Sequence, residues 1–313
     1  MDTKMKLLIA YDGSPSAETA LDDLPRAGLP SDTDATIICV ADIFMPQAEP
    51  SETVKPEPDF MGRSSTELEL RRARVAQALE EARRLATKAS DRLRIKFPDW
   101  KIQTEACGHS PAWAIIKKAD EWQPNLVLLG SHNRSALGRL FLGSVSQTVL
   151  TEARCSVRIG RERLAQGTTP LRILIGIDGS PGAERAIAEV ASRPWPPDVK
   201  AYLIAVVDRT MSTALNETAA HFKDERTWLK KILETSTGKL QASGLGVSEI
   251  VKGGDPKEVL LKEAERLQAN CIFLGARGLR RLERFFLGSV STAIATRAPC
   301  SVEIVRPRQI AEP

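Results

Sequence analysis

The sequence predicts an α/β protein of two tandem, doubly wound domains, each a five-stranded parallel sheet covered on both faces by helices. Three observations carry that expectation. Short apolar, β-like runs alternate with amphipathic segments, the order that a parallel sheet requires. The stretch GARGLRRLERFFLGSVS at 275–291 has an earlier copy, GSHNRSALGRLFLGSVS, at 130–146. Asp-Gly-Ser-Pro also occurs twice, at 12–15 and 178–181, each time directly after an apolar run.

Taken in order, Lys6 to Tyr11 reads as the first strand. Asp12-Gly-Ser-Pro-Ser turns it into a helix beginning near Ala17, with Asp and Ser as caps and Pro15 tolerated in a first helical turn. Ala35 to Ala41 is a second buried strand. From 42 to 62 the chain carries Pro46, Pro50, Pro56 and Pro58 with Glu49, Glu52, Glu57 and Asp59, the composition of a long loop. Glu67 to Arg94 is an amphipathic helix with Leu68, Val75, Leu79, Ala82, Ala86, Ala89 and Leu93 on one face. Lys101 to Ala106 is a weaker strand ending at Cys107-Gly108. Ala112 to Asp120 is a helix, Asn125 to Leu129 a strand that feeds the first glycine stretch, and Cys155 to Ile159 the last strand of the half.

Everything then recurs. Asp178 follows Asp12 by 166 residues, as Val206 follows Val40. Gly253, Gly275, Gly288 and Cys300 follow Gly108, Gly130, Gly143 and Cys155 by 145. The difference of 21 residues (166 − 145) places one insertion between Val40 and Gly108, where the Pro-rich acidic loop lies. The domains expected are residues 1–162 and 171–313, joined by a linker at 163–170.

Bulk properties narrow the function. A chain of 313 residues is long enough for two domains with cores of their own. A net charge of +4 with no concentrated basic block argues against a nucleic-acid partner. The apolar run at the start is short and closed by Asp12, so it reads as a strand and not a signal peptide. No segment approaches membrane-spanning length. Five scattered cysteines without a C-x-x-C pair, and three histidines off ligand spacing, read as reduced thiols in a cytoplasmic protein. The tryptophans at 113, 122, 195 and 228 show no stacking pattern and read as packing.

The site follows from the spacing. In an open parallel sheet, ligands bind beyond the carboxyl ends of the strands where strand order reverses. Asp12 and Asp178 end the first strand of each half; Gly130 and Gly275 end the fourth. Gly143-Ser144 and Gly288-Ser289 then open helices whose free N–H groups suit an anion, and glycine allows close backbone approach. The aspartates can cap helices and bind ligand together. Arg277, Arg280, Arg281 and Arg284 read mostly as a solvated face, with one or two of them reaching a phosphate.

This pattern resembles the universal stress protein family, specifically its tandem two-domain members, which carry G-x-x-G, nine residues, then G-S/T. The second half matches throughout, with Gly275, Gly278, Gly288 and Ser289; the first half has Gly130, Asn133, Gly143 and Ser144. Asp-Gly-Ser after the first strand and Val40-x-Asp42 after the second extend the resemblance over nearly the whole chain. It implies a strand order of 3-2-1-4-5 in each half and an internal pseudo-dimer formed through the fifth strands, with room for a homodimer and a protein partner. It also implies ATP, with the adenine on main chain at Val40 and Val206 near Asp12 and Asp178. Ribose and phosphates would lie on the glycines and the Gly-Ser helix starts, and Mg²⁺ or Mn²⁺ would be held through phosphate oxygens without a protein ligand.

The binding set expected in the second half is Asp178, Val206, Gly253, Gly275, Gly278, Gly288, Ser289, Val290 and Ser291. In the first half it is Asp12, Val40, Gly108, Gly130, Asn133, Gly143, Ser144, Val145 and Ser146. Asn enters the left-handed region readily, so the turn at Asn133 survives, but its side chain occupies space the family leaves for phosphate. The first site is therefore expected to be the weaker. No catalytic residue is assigned. Neither G-x-x-x-x-G-K-S/T nor a G-x-G-x-x-G after the first strand is present, and no nucleophile–base pair stands out. The leading expectation is an ATP-binding stress-response regulator. The alternatives are an interaction scaffold that needs no nucleotide and, behind it, a slow ATP hydrolase.

Overall fold

The computed structural model describes residues 4–43, 60–131, 142–162, 170–207, 219–278 and 287–307. The first half runs β1 (Met5–Ala10), α1 (Pro15–Asp23), β2 (Thr33–Asp42), α2 (Phe60–Lys96), β3 (Lys101–His109), α3 (Pro111–Trp122), β4 (Leu126–Gly130), α4 (Ser144–Glu152) and β5 (Ser156–Gly160). The second half repeats it: β6 (Arg172–Ile177), α5 (Pro181–Ala191), β7 (Lys200–Val207), α6 (Ala219–Ala242), β8 (Gly246–Gly253), α7 (Pro256–Arg266), β9 (Cys271–Gly275), α8 (Ser289–Arg297) and β10 (Ser301–Val305). All ten strands form one sheet, ordered β3-β2-β1-β4-β5-β10-β9-β6-β7-β8. Each half has the order 3-2-1-4-5 and is internally parallel; only the central β5–β10 pair is antiparallel.

Burial follows position in that order. The inner strands β4, β5, β9 and β10 are covered on both faces and read as nearly continuous apolar runs. The outermost strands, β3 and β8, are mostly exposed, which explains the polar KIQTEA run. Alternate residues of β1 face opposite sides: Leu8 packs under α3 and α4, while Leu7 and Ile9 pack under α1 and α2. On the α3/α4 face one apolar core continues through both halves, joining Val157 and Ile159 to Val302 and Ile304. On the other face each half keeps its own core, under α1 and α2 or under α5 and α6.

Two expectations need correction. Residues 60–62 are not loop, because α2 begins at Phe60, and the amphipathic face does not extend to Leu68, which is 49% exposed. The turns around Leu68 and Leu70 are exposed, whereas Ala82, Ala86, Ala89 and Leu93 are buried in the core. Of the tryptophans, Trp195 packs edge-on against Phe273 and Trp122 joins the continuous core, but Trp113 is 56% exposed and Trp228 is 42% exposed. The rest of the Pro-rich loop (44–59) and of the linker (163–169) lies outside the described residues. Among the described residues no helix is long and apolar enough to cross a membrane.

Candidate functional site

The crevice forms where β1 and β4 lie side by side while their following helices depart to opposite faces. Asp12 closes β1 and its Oδ1 accepts the Ser14 N–H at 2.9 Å; Asp178 does the same for Ser180 at 3.0 Å. Ser14 and Ser180 then cap the helices, each hydroxyl accepting the N–H three residues on (Ala17 and Ala183) at 3.2 Å. Gly13 and Gly179 take φ of +74° and +73°, the left-handed region that glycine enters without strain. The aspartates are therefore turn-formers in both halves.

The strand-end glycines serve a tight helix approach. A Cβ on Gly130 would lie 2.5 Å from the backbone carbonyl of Ser16, and one on Gly275 would lie 2.3 Å from the Gly182 carbonyl carbon. Their lack of a side chain lets the first turns of α1 and α5 rest on the ends of β4 and β9. Gly278 faces the other way: its Cβ would stand 2.5 Å from Asp178 Oδ2. Gly288 closes the second-half loop, donating its N–H to Ala276 O at 2.8 Å.

The two Gly-Ser helix starts differ from those of α1 and α5, which Ser14 and Ser180 cap. Gly143 and Gly288 occupy the N-cap positions of α4 and α8 in extended conformation, and no side chain caps either helix. The N–H groups of the first turn therefore lack a side-chain cap, at the positive end of the helix dipole. Ser146 and Ser291 have a different task. Each is buried and donates its hydroxyl to the strand-end carbonyl, Gly130 O or Gly275 O, at 2.8 Å. These hydroxyls staple helix to strand, while Ser144 and Ser289 are exposed beside the helix start.

In the first half these parts line a cleft of about 210 Å³. Of the residues expected from the sequence, Asp12, Val40, Gly130, Gly143, Ser144, Val145 and Ser146 border it. Gly108 does not: it is the penultimate residue of the outermost strand, two strands from β1, where a Cβ would lie 2.5 Å from Ile43 Cδ1. Gly253 holds the matching outermost position on β8, paired with Val207, and Val206 is half-buried one residue before it. Asn133 and His132, with Arg280, Arg281 and Arg284, lie outside the described residues.

Sequence reasoning missed Ser16, Ile38, Pro111, Ile115 and Tyr11 as cleft residues. Ser16 and Tyr11 flank the Asp-Gly-Ser turn, so proximity alone could have found them; Pro111 and Ile115 come from α3 and depend on how it folds over the sheet. The Tyr11 hydroxyl is engaged by Glu18 Oε1 at 2.5 Å, and burial together with that bond raises its pKa. Beneath the cleft, burial pushes the Cys39 thiol up to about 12. Ile38, Val40, Ile115 and Leu129 supply an apolar side, and Asp12, Ser14, Ser16 and the α4 N-terminus a polar one. Such a cleft suits a flat heterocycle joined to an anion. Among the described residues no group of three or more His, Cys, Asp or Glu could hold a metal.

Known proteins share this fold. The universal stress protein family model matches residues 5–161 and again 171–306. A universal stress protein of Staphylococcus haemolyticus is 33% identical over 143 residues, covering 45% of this chain and 87% of that protein. One from Staphylococcus epidermidis is 34% identical over 148 residues, covering 45% and 86%. Among solved structures, a universal stress protein of Archaeoglobus fulgidus covers 97% of both chains with a TM-score of 0.55 at 20% identity. A Pseudomonas aeruginosa protein described as functionally unknown covers 98% of this chain and 94% of its own, with a TM-score of 0.59 at 12% identity. With the family matched twice along it, the chain belongs to the universal stress protein family as a tandem two-domain member.

Proposed function

We propose that this protein is an ATP-binding stress-response regulator in which nucleotide occupancy changes conformation or the choice of partner. One observation supports this above the rest. At both switch points, an aspartate-turned loop and a side-chain-free, uncapped helix start converge on the ends of adjacent strands. The adenine and ribose would take the apolar side near Val40 or Val206 and the aspartate. The phosphates would take the N–H groups of Ser144 to Ser146 or Ser289 to Ser291, with Mg²⁺ or Mn²⁺ bound through phosphate oxygens. The first-half cleft of about 210 Å³ is smaller than the roughly 300–1,000 Å³ of enclosed ligand pockets, so it suits base and sugar with phosphates at an open rim.

The second site is the tighter one in this reading, because the first half carries Asn133, with a side chain, at the sequence position where the second carries Gly278 against the Asp178 carboxylate. Calorimetric titration of wild type, Gly288→Val and Gly143→Val with ATP tests it. The expected result is a larger loss of affinity for Gly288→Val. Equal losses would sink the asymmetry, and no binding by wild type would support a nucleotide-independent scaffold instead.

A further inference from the structure

The two halves meet through contacts of two kinds, and the difference between them is informative. Away from the centre of the β5–β10 pair, contacts come in matched duplicates. Arg161 donates to Cys300 O at 3.4 Å, to Thr296 O and to Ala295 O, at the end of the opposite α8; Arg306 donates to Cys155 O at 3.4 Å and to Leu150 O on the opposite α4. The Ser301 hydroxyl accepts the Arg161 N–H at 3.0 Å, and the Ser156 hydroxyl accepts the Arg306 N–H at 3.1 Å. Residue 161 corresponds to 306, 156 to 301 and 155 to 300 at the repeat offset of 145, so the Arg–Ser hydroxyl and Arg–Cys carbonyl contacts are each made twice by identical residues. That is what a two-fold arrangement of duplicated domains produces.

At the centre the rule changes. Glu303 and Arg158 are register partners across the antiparallel pair, and they too are 145 residues apart. Each position therefore meets its own counterpart, on the local pseudo-two-fold axis. Arg158 Nη1 donates to Glu303 Oε2 at 3.0 Å and its Nε to Asp23 Oδ2 at 2.7 Å, with every partner inaccessible to solvent or nearly so. A second counterpart pair, Ala27 and Arg193 at the other offset of 166, also meets across the axis: Arg193 Nη1 donates to Ala27 O at 2.8 Å. Arg193 binds both Glu303 oxygens and also Glu189, the counterpart of Asp23. Beside it Trp195 packs against Gly28, where a Cβ would lie 2.6 Å from the indole.

We infer that these axial residues make the two halves mutually selective: the β5 edge accepts a β10 edge and rejects another β5, and the reverse. Pairing two first halves would bury Arg158 against a second Arg158 and leave a gap between two Ala27 positions. Pairing two second halves would bury Glu303 against Glu303 and Arg193 against Arg193. Like charges in buried contact are costly, and the unlike pairing is the one that sets Arg158 against Glu303 across the axis. The partner this surface fits is the other half of the chain, and a second copy cannot add through it like with like.

The test uses full-length chains. One variant carries the second-half set in the first half (Asp23→Glu, Ala27→Arg, Arg158→Glu). Another carries the first-half set in the second (Glu189→Asp, Arg193→Ala, Glu303→Arg). A third carries all six. Each three-substitution chain should melt about 10 °C or more below wild type, and the six-substitution chain should recover most of that loss. Mixed in equal amounts, the two three-substitution chains should form a 1:1 complex of twice the monomer mass by light scattering, which neither forms alone. Three-substitution chains that melt like wild type would overturn the inference, as would a six-substitution chain that melts no higher than they do. If a three-substitution chain fails to fold, the six-substitution chain still decides.

Discussion

Asp178 Oδ2 lies 2.5 Å from where a side chain on Gly278 would begin, so the carboxylate that turns the first loop of the second half also faces the glycine loop. Asp178 Oδ1 is held by the Ser180 N–H at 3.0 Å, which leaves the carboxylate little freedom to retreat. Gly278→Ala should therefore displace the carboxylate or the loop, and affinity for ATP at the second site should fall about tenfold, near 1.4 kcal/mol. Calorimetry resolving the two sites would show it. Unchanged affinity would mean that the Asp178–Gly278 approach has no part in binding.

Gly130 and Gly275 test packing and not ligand. A Cβ at either would strike backbone, Ser16 or Gly182, which cannot rotate away as a side chain could. Gly130→Ala and Gly275→Ala should each cost about 1–3 kcal/mol of stability, the scale of overpacking. Denaturant titration in the absence of nucleotide would measure it. A loss seen only as weaker ATP binding would point to a ligand role instead.

Arg161 is buried and Arg306 half-buried, and both donate to the opposite half, where each holds the end of a helix. Removing either should leave buried carbonyls unpaired, at about 1–3 kcal/mol. Because the contacts are duplicates, Arg161→Ala and Arg306→Ala should cost similar amounts. Lysine should rescue neither fully, since it lacks the planar fork that reaches several carbonyls at once. Thermal unfolding of the four variants is the measurement.

The thiols predict an alkaline limit. Burial pushes Cys39, Cys155 and Cys271 up to about 12 and raises Cys300 further, against an ordinary value of 9.0. A folded-state pKa above the unfolded one gives stability that is intact below pH 9 and lost as pH rises toward 12. Each such thiol should cost up to about 1.4 kcal/mol per pH unit in that interval. Arg161 and Arg306, which burial lowers to about 10, act in the opposite sense above pH 10, so the clean window is pH 8 to 10. Unfolding midpoints across it should fall. In the native protein a thiol reagent at pH 8 should modify half-buried Cys107 well before Cys271 or Cys300.

Much of this protein was legible in one dimension. Period and punctuation placed every strand of the first half, because buried parallel strands must be apolar and the turns between them need Asp, Gly, Ser and Pro. The repeat offsets made each half a check on the other and located the insertion that includes the start of α2. The glycines were found for their spacing, but their separate tasks were not visible. Gly275 makes room for Gly182 and Gly278 for Asp178, and both relations join residues far apart in the chain. Gly108 was drawn into the binding set by its offset, although strand order places it two strands from the crevice.

The lone charges in the fifth strands show the boundary best. CSVRI and SVEIV each carry a single ion in an apolar run, and a sequence offers no way to tell a buried pair from two exposed residues. The sequence by itself determined the duplicated α/β fold, since hydrophobic period and turn chemistry are local properties. Only the tertiary structure decided that Arg158 and Glu303 neutralise one another, because that depends on an antiparallel register between halves and on α1 and α5 closing over it. Electrostatics at close range is set by distance in space, and distance in space is what the chain acquires on folding.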